Sequence, residues 1–198
     1  MEQVQSLQRM AGKTAPGRTP DFTAAHLLYA LSLLREKRIG RKQLAENLRV
    51  GEGTVRTILS RLSDAVLVEI SRPGVSLSPE GVMFLESIES KMIWGEFPPT
   101  DLTVSKHNLF VLVRKAADRV RYGVEQRDQA LIHGAVGATT LVRSDGLWTL
   151  PGPGGNVDLD FVEEGYDPKD GDVFVIGTGV DSFTAALGAF SAAIHLVS

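Results

Sequence analysis

Residues 66–77, VLVEISRPGVSL, narrow the possible folds more than any other stretch of this chain. Val66 to Ile70 is rich in β-branched residues and reads as a strand, Arg72-Pro73-Gly74 as a turn, and Val75-Ser76-Leu77 as the returning strand of a small hairpin. Directly before it lies GEGTVRTILSRL, residues 51–62. There Val55, Ile58, Leu59 and Leu62 recur at i, i+3, i+4 and i+7, while Glu52, Thr54, Arg56, Thr57, Ser60 and Arg61 fill the opposite face. A helical pattern does not by itself predict a hairpin behind it, so the pair is informative.

The flanks extend the order. Residues 1–20 are Gln-rich and then run GKTAPGRTP with little periodicity, which predicts a flexible arm over residues 1–21. Gly12-Lys13-Thr14 is not a phosphate loop, because Leu7 stands where that motif needs its first glycine. From Thr23, Leu27, Leu28, Leu31 and Leu34 form one side of a first helix that ends before Gly40. Arg41 to Leu48 is a shorter second helix with Leu44, Ala45 and Leu48 as its buried edge, and Asn47 to Gly53 supplies the turn. After the hairpin, Ser78-Pro79-Glu80 provides an N-cap, a proline at the first helical position and an acid in the first turn. That helix is expected to run toward Lys91, with Phe84, Ile88 and Met92 at a spacing of four and Ile93 and Trp94 following.

Three helices, a hairpin and a helix, carried by RKQLAENL, GEGTVRTILSRLSDAVLVEIS, RPG and LSPEG, resemble the winged helix-turn-helix of transcription regulators over about residues 22–92. The chain departs from that pattern at Ala65, where such proteins often have glycine. The resemblance implies that residues 51–62 form a recognition helix in the major groove of double-stranded DNA. Arg56 is the candidate for reading guanine, and Thr54 and Thr57 for a thymine methyl or a phosphate. Ser60 shares their face, Arg41, Lys42 and Arg61 are placed for phosphates, and Arg72 at the hairpin tip for the minor groove or backbone. The competing reading is a solvated helix face, and some winged helices bind only protein. In many winged regulators the helix after the hairpin makes a homodimer, matching two-fold half-sites; its alternative is packing on its own domain.

Charge supports two domains. Residues 1–97 carry 13 Lys/Arg against 11 Asp/Glu, residues 98–198 carry 8 against 13, and residues 35–72 alone carry 9 against 5. The local excess surrounds residues 51–62, as a polyanion partner requires. Glu96-Phe97-Pro98-Pro99-Thr100 cannot continue a helix. The expected division is therefore a winged domain at 22–95, a linker at 96–106 and a second domain at 107–198.

The second domain mixes elements. Leu109 to Val113 reads as a strand, 122–134 as a helix, Gly137 to Arg143 and Leu147 to Leu150 as a hairpin, Val173 to Ile176 as a strand, and Ser182 to Val197 as a helix. The fold class expected is α+β, a winged helix-turn-helix followed by a small two-layer α+β unit with helices on one sheet face. The closing helix has no charged residue if His195 is neutral, so it is buried on several sides, either within its own subunit or against a second copy. GVEQRD, GATTLV and GDVFVIGTG are similar to a group of archaeal winged-helix proteins whose C-terminal domain has no defined role. That resemblance implies a regulator with a sensor domain and names no effector.

Two places in this domain invite a ligand. Val124, Leu131 and Ala135 form a stripe on which Asp128 also falls. A carboxylate facing a core needs a partner, for which Arg119, Arg121 and Arg127 are available, or else it lines a pocket under the loop Leu150–Gly155. Gly177-Thr178-Gly179, between strand and helix, has the look of an anion-binding turn. Ser182 replaces the third glycine of a dinucleotide fingerprint, however, and Asp181 or Ser182 caps the helix. No catalytic residue, metal site or cofactor is expected. His26, His107, His133 and His195 are scattered, no GxSxG is present, and Asp158, Asp160, Glu163 and Glu164 miss the calcium-loop pattern. Cysteine is absent, excluding disulfides and a cysteine nucleophile. No run of about 18 apolar residues is present, so no membrane partner and a cytoplasmic location are expected.

The function these readings converge on is a DNA-binding transcription regulator that senses a small-molecule effector or dimerises through its second domain. The alternatives are a protein-binding winged module and an enzyme with a winged appendage.

Overall fold

The first residues fold, contrary to the flexible arm expected of them. Helix α1 (Glu2–Ala11) buries Val4 and Leu7 completely, against α2 (Ala24–Glu36) and the helix Pro79–Glu89. Two apolar residues one turn apart are enough to seat a short helix on a ready surface, although its Gln-rich sequence hides the pattern. The computed structural model describes residues 2–13, 19–152 and 155–198, so Thr14 to Arg18 of the expected arm lie outside the described residues.

Helix α2 contributes Leu27, Leu28, Leu31 and Leu34 to the core of the first unit. Its start is held by the Thr23 backbone N–H, which donates to His26 Nδ1 at 3.1 Å. Helix α3 (Arg41–Leu48) buries Leu44, Ala45 and Leu48, and α4 (Glu52–Asp64) buries Val55, Ile58, Leu59 and Leu62. Those are the faces that the periodicity picked out. The hairpin β1 (Val68–Ser71) and β2 (Gly74–Leu77) follows, antiparallel, with Ser71 opposite Gly74 across a two-residue tip. Ile39 pairs with Val75 as a third edge through backbone bonds of 2.9 and 2.8 Å. Gly74 is required there: its φ is 138°, and an added Cβ would stand 2.7 Å from the Ile39 carbonyl oxygen. Helix α5 (Pro79–Glu89) begins as expected, with Ser78 Oγ accepting from the Gly81 N–H at 2.8 Å.

The strand expected from Val66 starts two residues later because the helix α4 is left through a left-handed residue. That residue is Val66, at φ 59°, directly after Ala65. A β-branched side chain in this conformation costs about 1–2 kcal/mol, and Val66 is 56% exposed, so its side chain recovers little by packing. Val66→Asn is therefore expected to stabilise the first unit by about 1 kcal/mol, read as a raised midpoint in thermal denaturation. An unchanged or lowered midpoint would show that the valine packs more than its exposure implies.

Helix α5 stops at Glu89, and Met92–Glu96 is strand β3, not the helical continuation expected through Trp94. It pairs antiparallel with β4 (His107–Val113), Met92 opposite Val113 and Glu96 opposite Leu109. The division into two compact units accordingly falls at Ser90/Lys91 instead of the expected position after Gly95. Residues 96–106 are no linker either, since Phe97 is buried in the core of the second unit and Leu102 packs against it.

The second unit continues through a 3-10 turn (Ala117–Arg119), α6 (Val124–Ile132), β5 (Gly137–Ser144), β6 (Leu147–Thr149), β7 (Asn156–Val157), α7 (Asp160–Tyr166), β8 (Val173–Gly179) and α8 (Ser182–Val197). The six strands form one antiparallel sheet in the order β3-β4-β8-β5-β6-β7. All seven residues of the central β8 are buried, which requires cover on both faces. Helices α8 and α6 cover one face. On the other, Phe97, Phe110, Trp148, Leu159, Val162 and Phe174 form an aromatic core with α7, Phe110 stacking on Phe174 with ring centroids 4.9 Å apart. The α+β domain expected of this half is what forms, a sheet with helices on one face, and it carries a further, thinner layer built on α7. The closing helix α8 takes the first of its two alternatives, packing on β4 and β8 with α6 beside it on the same sheet face. Among the described residues, no helix is long and apolar enough to cross a membrane.

Candidate nucleic-acid interface

The buried face of α4 dictates what its other face can offer. With Val55, Ile58, Leu59 and Leu62 inward, Glu52, Arg56, Thr57 and Ser60 are exposed and Thr54 is half-buried. Helix α3 turns Arg41 and Lys42 outward in the same way. Their starts meet at a cleft of about 280 Å³ lined by Arg41, Lys42, Glu52, Val55 and Arg56.

Two features make this cleft suited to an anion. Helices α3 and α4 are both N-capped by glycine, Gly40 and Gly51, with no side-chain bond to the first turn. Their first backbone N–H groups are therefore left for an external acceptor, where the helix dipole also favours negative charge. In addition, the side chains of Arg41, Lys42, Arg56 and Arg72 make no ion pair or hydrogen bond among the described residues. The neighbouring arginines Arg35 and Arg38 are committed. Arg35 lies 3.7 Å from Glu86 and 3.5 Å from Glu89, and Arg38 donates to Ser71 Oγ and, at 3.5 Å, to the Gly74 carbonyl. Arg38 so braces the hairpin whose exposed tip is Arg72, a role with no signal in the sequence.

Two expected contacts are placed differently. Arg61 turns away from the exposed face, donating to the carbonyl oxygens of Met10 and, at 2.9 Å, Gly12, with its guanidinium 5.1 Å from the centre of the Phe22 ring. It anchors the end of α1 and is not free for phosphate. Thr57 Oγ1 is occupied by its own helix, donating to the Gly53 carbonyl at 3.1 Å. Glu52 lines the cleft without pairing any of its cations.

The second-unit candidates do not come together. Asp128 and Arg127 are exposed, because α6 buries Gln126 and Ala130 instead of the Val124/Leu131 stripe. Arg119 donates to the carbonyls of Leu196 and Ser198 at 2.9 and 3.1 Å, closing the end of α8, and Arg121 is exposed. Gly177 and Gly179 belong to β8 and not to an anion-binding loop. A Cβ at Gly177 would lie 2.5 Å from both the Ala185 oxygen and the Ala189 nitrogen, so the glycines let α8 touch the sheet. The start of α8 is closed by Asp181, which accepts from the Thr184 N–H at 3.0 Å. Of the loop Leu150–Gly155, Pro153 and Gly154 lie outside the described residues. Among the described residues no group of three or more His, Asp or Glu could hold a metal ion.

Residues 24–83 match the family model described as "PH0730-like, N-terminal domain", and residues 104–196 match a domain of unknown function, DUF4443. No curated protein matches the chain. Among solved structures, hypothetical protein PH0730 from Pyrococcus horikoshii OT3 is 24% identical over 89% of this chain and 93% of its own, with a TM-score of 0.71, which shows a shared fold. A MepR variant from a multidrug-resistant S. aureus clinical isolate aligns over 39% of this chain and 62% of its own, at 22% identity and a TM-score of 0.30. S. agalactiae BusR in complex with its busAB-promotor DNA aligns over 88% and 98%, at 12% identity and a TM-score of 0.26.

Proposed function

We propose that this chain is a cytoplasmic transcription regulator that docks α4 in the major groove of duplex DNA, with the β1–β2 hairpin alongside, and that its second unit senses a small molecule or dimerises. The observation that carries the reading is the set of four cations uncommitted among the described residues, Arg41, Lys42, Arg56 and Arg72, around two helix starts without side-chain caps. Unpaired charge in a fold that pairs its neighbouring arginines is consistent with a partner that supplies the anions, as DNA phosphates do. A homodimer would present two such surfaces to a two-fold half-site pair.

The test is binding to the duplex upstream of the gene for this protein against a scrambled duplex, at two salt concentrations, for wild type and Arg56→Ala. A preference that weakens with salt and disappears in the variant supports the reading. Absent or indifferent binding overturns it and directs the search to protein partners.

Gly53 supplies a second, independent check. Its backbone is not left-handed, and a Cβ there would meet nothing within 4 Å, so neither conformation nor packing calls for glycine in this first turn. Gly53→Ala is expected to stabilise the helix by about 0.5–1 kcal/mol and yet weaken duplex binding several-fold by holding the helix off the groove. Parallel denaturation and binding measurements read the two signs; unaltered affinity would exclude close approach at Gly53.

A further inference from the structure

The second unit has a cleft of about 550 Å³, lined by the apolar side chains of Phe97, Leu102, Val157, Leu159 and Phe161 and by the carboxylates of Asp101, Asp158 and Asp160. Its size falls in the range that takes a small organic molecule. No lysine, arginine or histidine is among its described lining residues. Phe161 is 39% exposed although three other rings of the aromatic core, Phe97, Phe110 and Phe174, are buried beside it, and its ring centroid lies 5.6 Å from that of Phe97. An aromatic ring left at the mouth of a negatively charged cleft offers its electron-rich face to a cation.

From this geometry we infer that the cleft between the start of α7 and the segment Phe97–Leu102 binds an organic cation, a protonated amine, guanidinium or quaternary ammonium group carried on an apolar body. The apolar floor takes the body, Phe161 takes the charge by its ring face, and Asp158 and Asp160 take it by Coulomb attraction. A bare metal ion is disfavoured because the described carboxylates do not gather into a ligand set, and an anion is disfavoured by the charge of the lining. Asp158 and Asp160 also oppose each other: the hydrogen bond from one to the other, and then their mutual repulsion, raise the Asp160 carboxyl above its usual range. A cation seated there relieves that repulsion, so binding should tighten as the pH rises through the Asp160 titration.

This gives the sensing part of the proposed function a place, and it stands or falls without DNA. The experiment is calorimetric titration of the full chain with benzyltrimethylammonium, benzyl alcohol and benzoate, which keep one aromatic body and change the charge. Expected is saturable one-to-one binding of the cation alone, weakened at least tenfold by Phe161→Ala and by the pair Asp158→Asn with Asp160→Asn. These residues are exposed, so an unchanged thermal midpoint verifies that the variants fold. Equal binding of the alcohol, preference for benzoate, binding that survives both variants, or no binding at millimolar cation overturns the inference. Repeating the duplex titration with bound cation asks separately whether the site communicates with DNA binding, and failure of DNA binding itself leaves the calorimetric result unaffected.

Discussion

Replacing Arg41, Lys42 and Arg56 together by alanine is expected to weaken duplex binding by roughly a hundredfold at moderate salt. The slope of log affinity against log salt should fall by about 2 to 3, since each phosphate contact contributes about 0.9 to it. Arg56→Ala alone should cost about 1–3 kcal/mol and remove discrimination among sequences, as loss of a base contact does. All three side chains are exposed and unpaired among the described residues, so fold stability should change by about 0.5 kcal/mol or less. Arg61→Ala is the informative control. Because Arg61 holds the end of α1 and stacks on Phe22, it should lower the thermal midpoint while leaving the salt slope intact. If the triple variant binds as wild type does, the cleft between α3 and α4 is not where DNA lies.

Asp172→Ala is expected to destabilise the second unit by about 3–5 kcal/mol, the cost of breaking a buried ion pair from one side. The carboxylate is 1% exposed and takes three bonds: from Arg114 Nη1 at 2.7 Å, the Lys115 N–H at 3.0 Å and the Lys169 N–H at 2.9 Å. Arg114 in turn donates to the Tyr166 carbonyl at 2.6 Å and the Asp167 carbonyl at 3.2 Å, so this carboxylate ties the start of β8 to the end of β4 and to the end of α7. Alanine strands a guanidinium and two backbone donors. Asp172→Asn keeps an acceptor oxygen but turns an amide toward a donor, and should lose less. Urea denaturation of the full chain, followed by probes of each unit, measures this. A loss below about 1 kcal/mol would show that water replaces the carboxylate.

What could be read from sequence depended on how local its cause was. The buried set of α4 was legible because one helix face repeats over about two turns, and the hairpin because Arg72-Pro73-Gly74 breaks two apolar-rich runs. The α5 boundary was not. Met92, Ile93 and Trp94 continue a helical spacing from Phe84 and Ile88, and what makes them a strand is β4, where their partners Val113, Leu112 and Val111 stand far along the chain. Helix α6 misled for a related reason: in nine residues two different stripes are available, and the one that buries Gln126 and Ala130 is chosen by α8, whose Gly188 would clash with Ala135 if it carried a Cβ, 2.5 Å away. The charges divided likewise. Sequence marks a basic neighbourhood, but it cannot separate Arg61, committed to α1, from Arg56, which is free among the described residues.

By itself, then, the sequence determined the helix–helix–helix–hairpin–helix order, the inward faces of α2, α3 and α4, and the gathering of positive charge around residues 51–62. Periodicity, turn chemistry and composition act within a few residues, and these features depend on nothing more. Tertiary structure alone decided that α1 packs, that β3 belongs to the second unit, that Gly177 and Gly179 serve α8, and that a cleft opens beside Phe161. Each of those follows from surfaces brought together across long stretches of chain, where the gain from burial outweighs local preference.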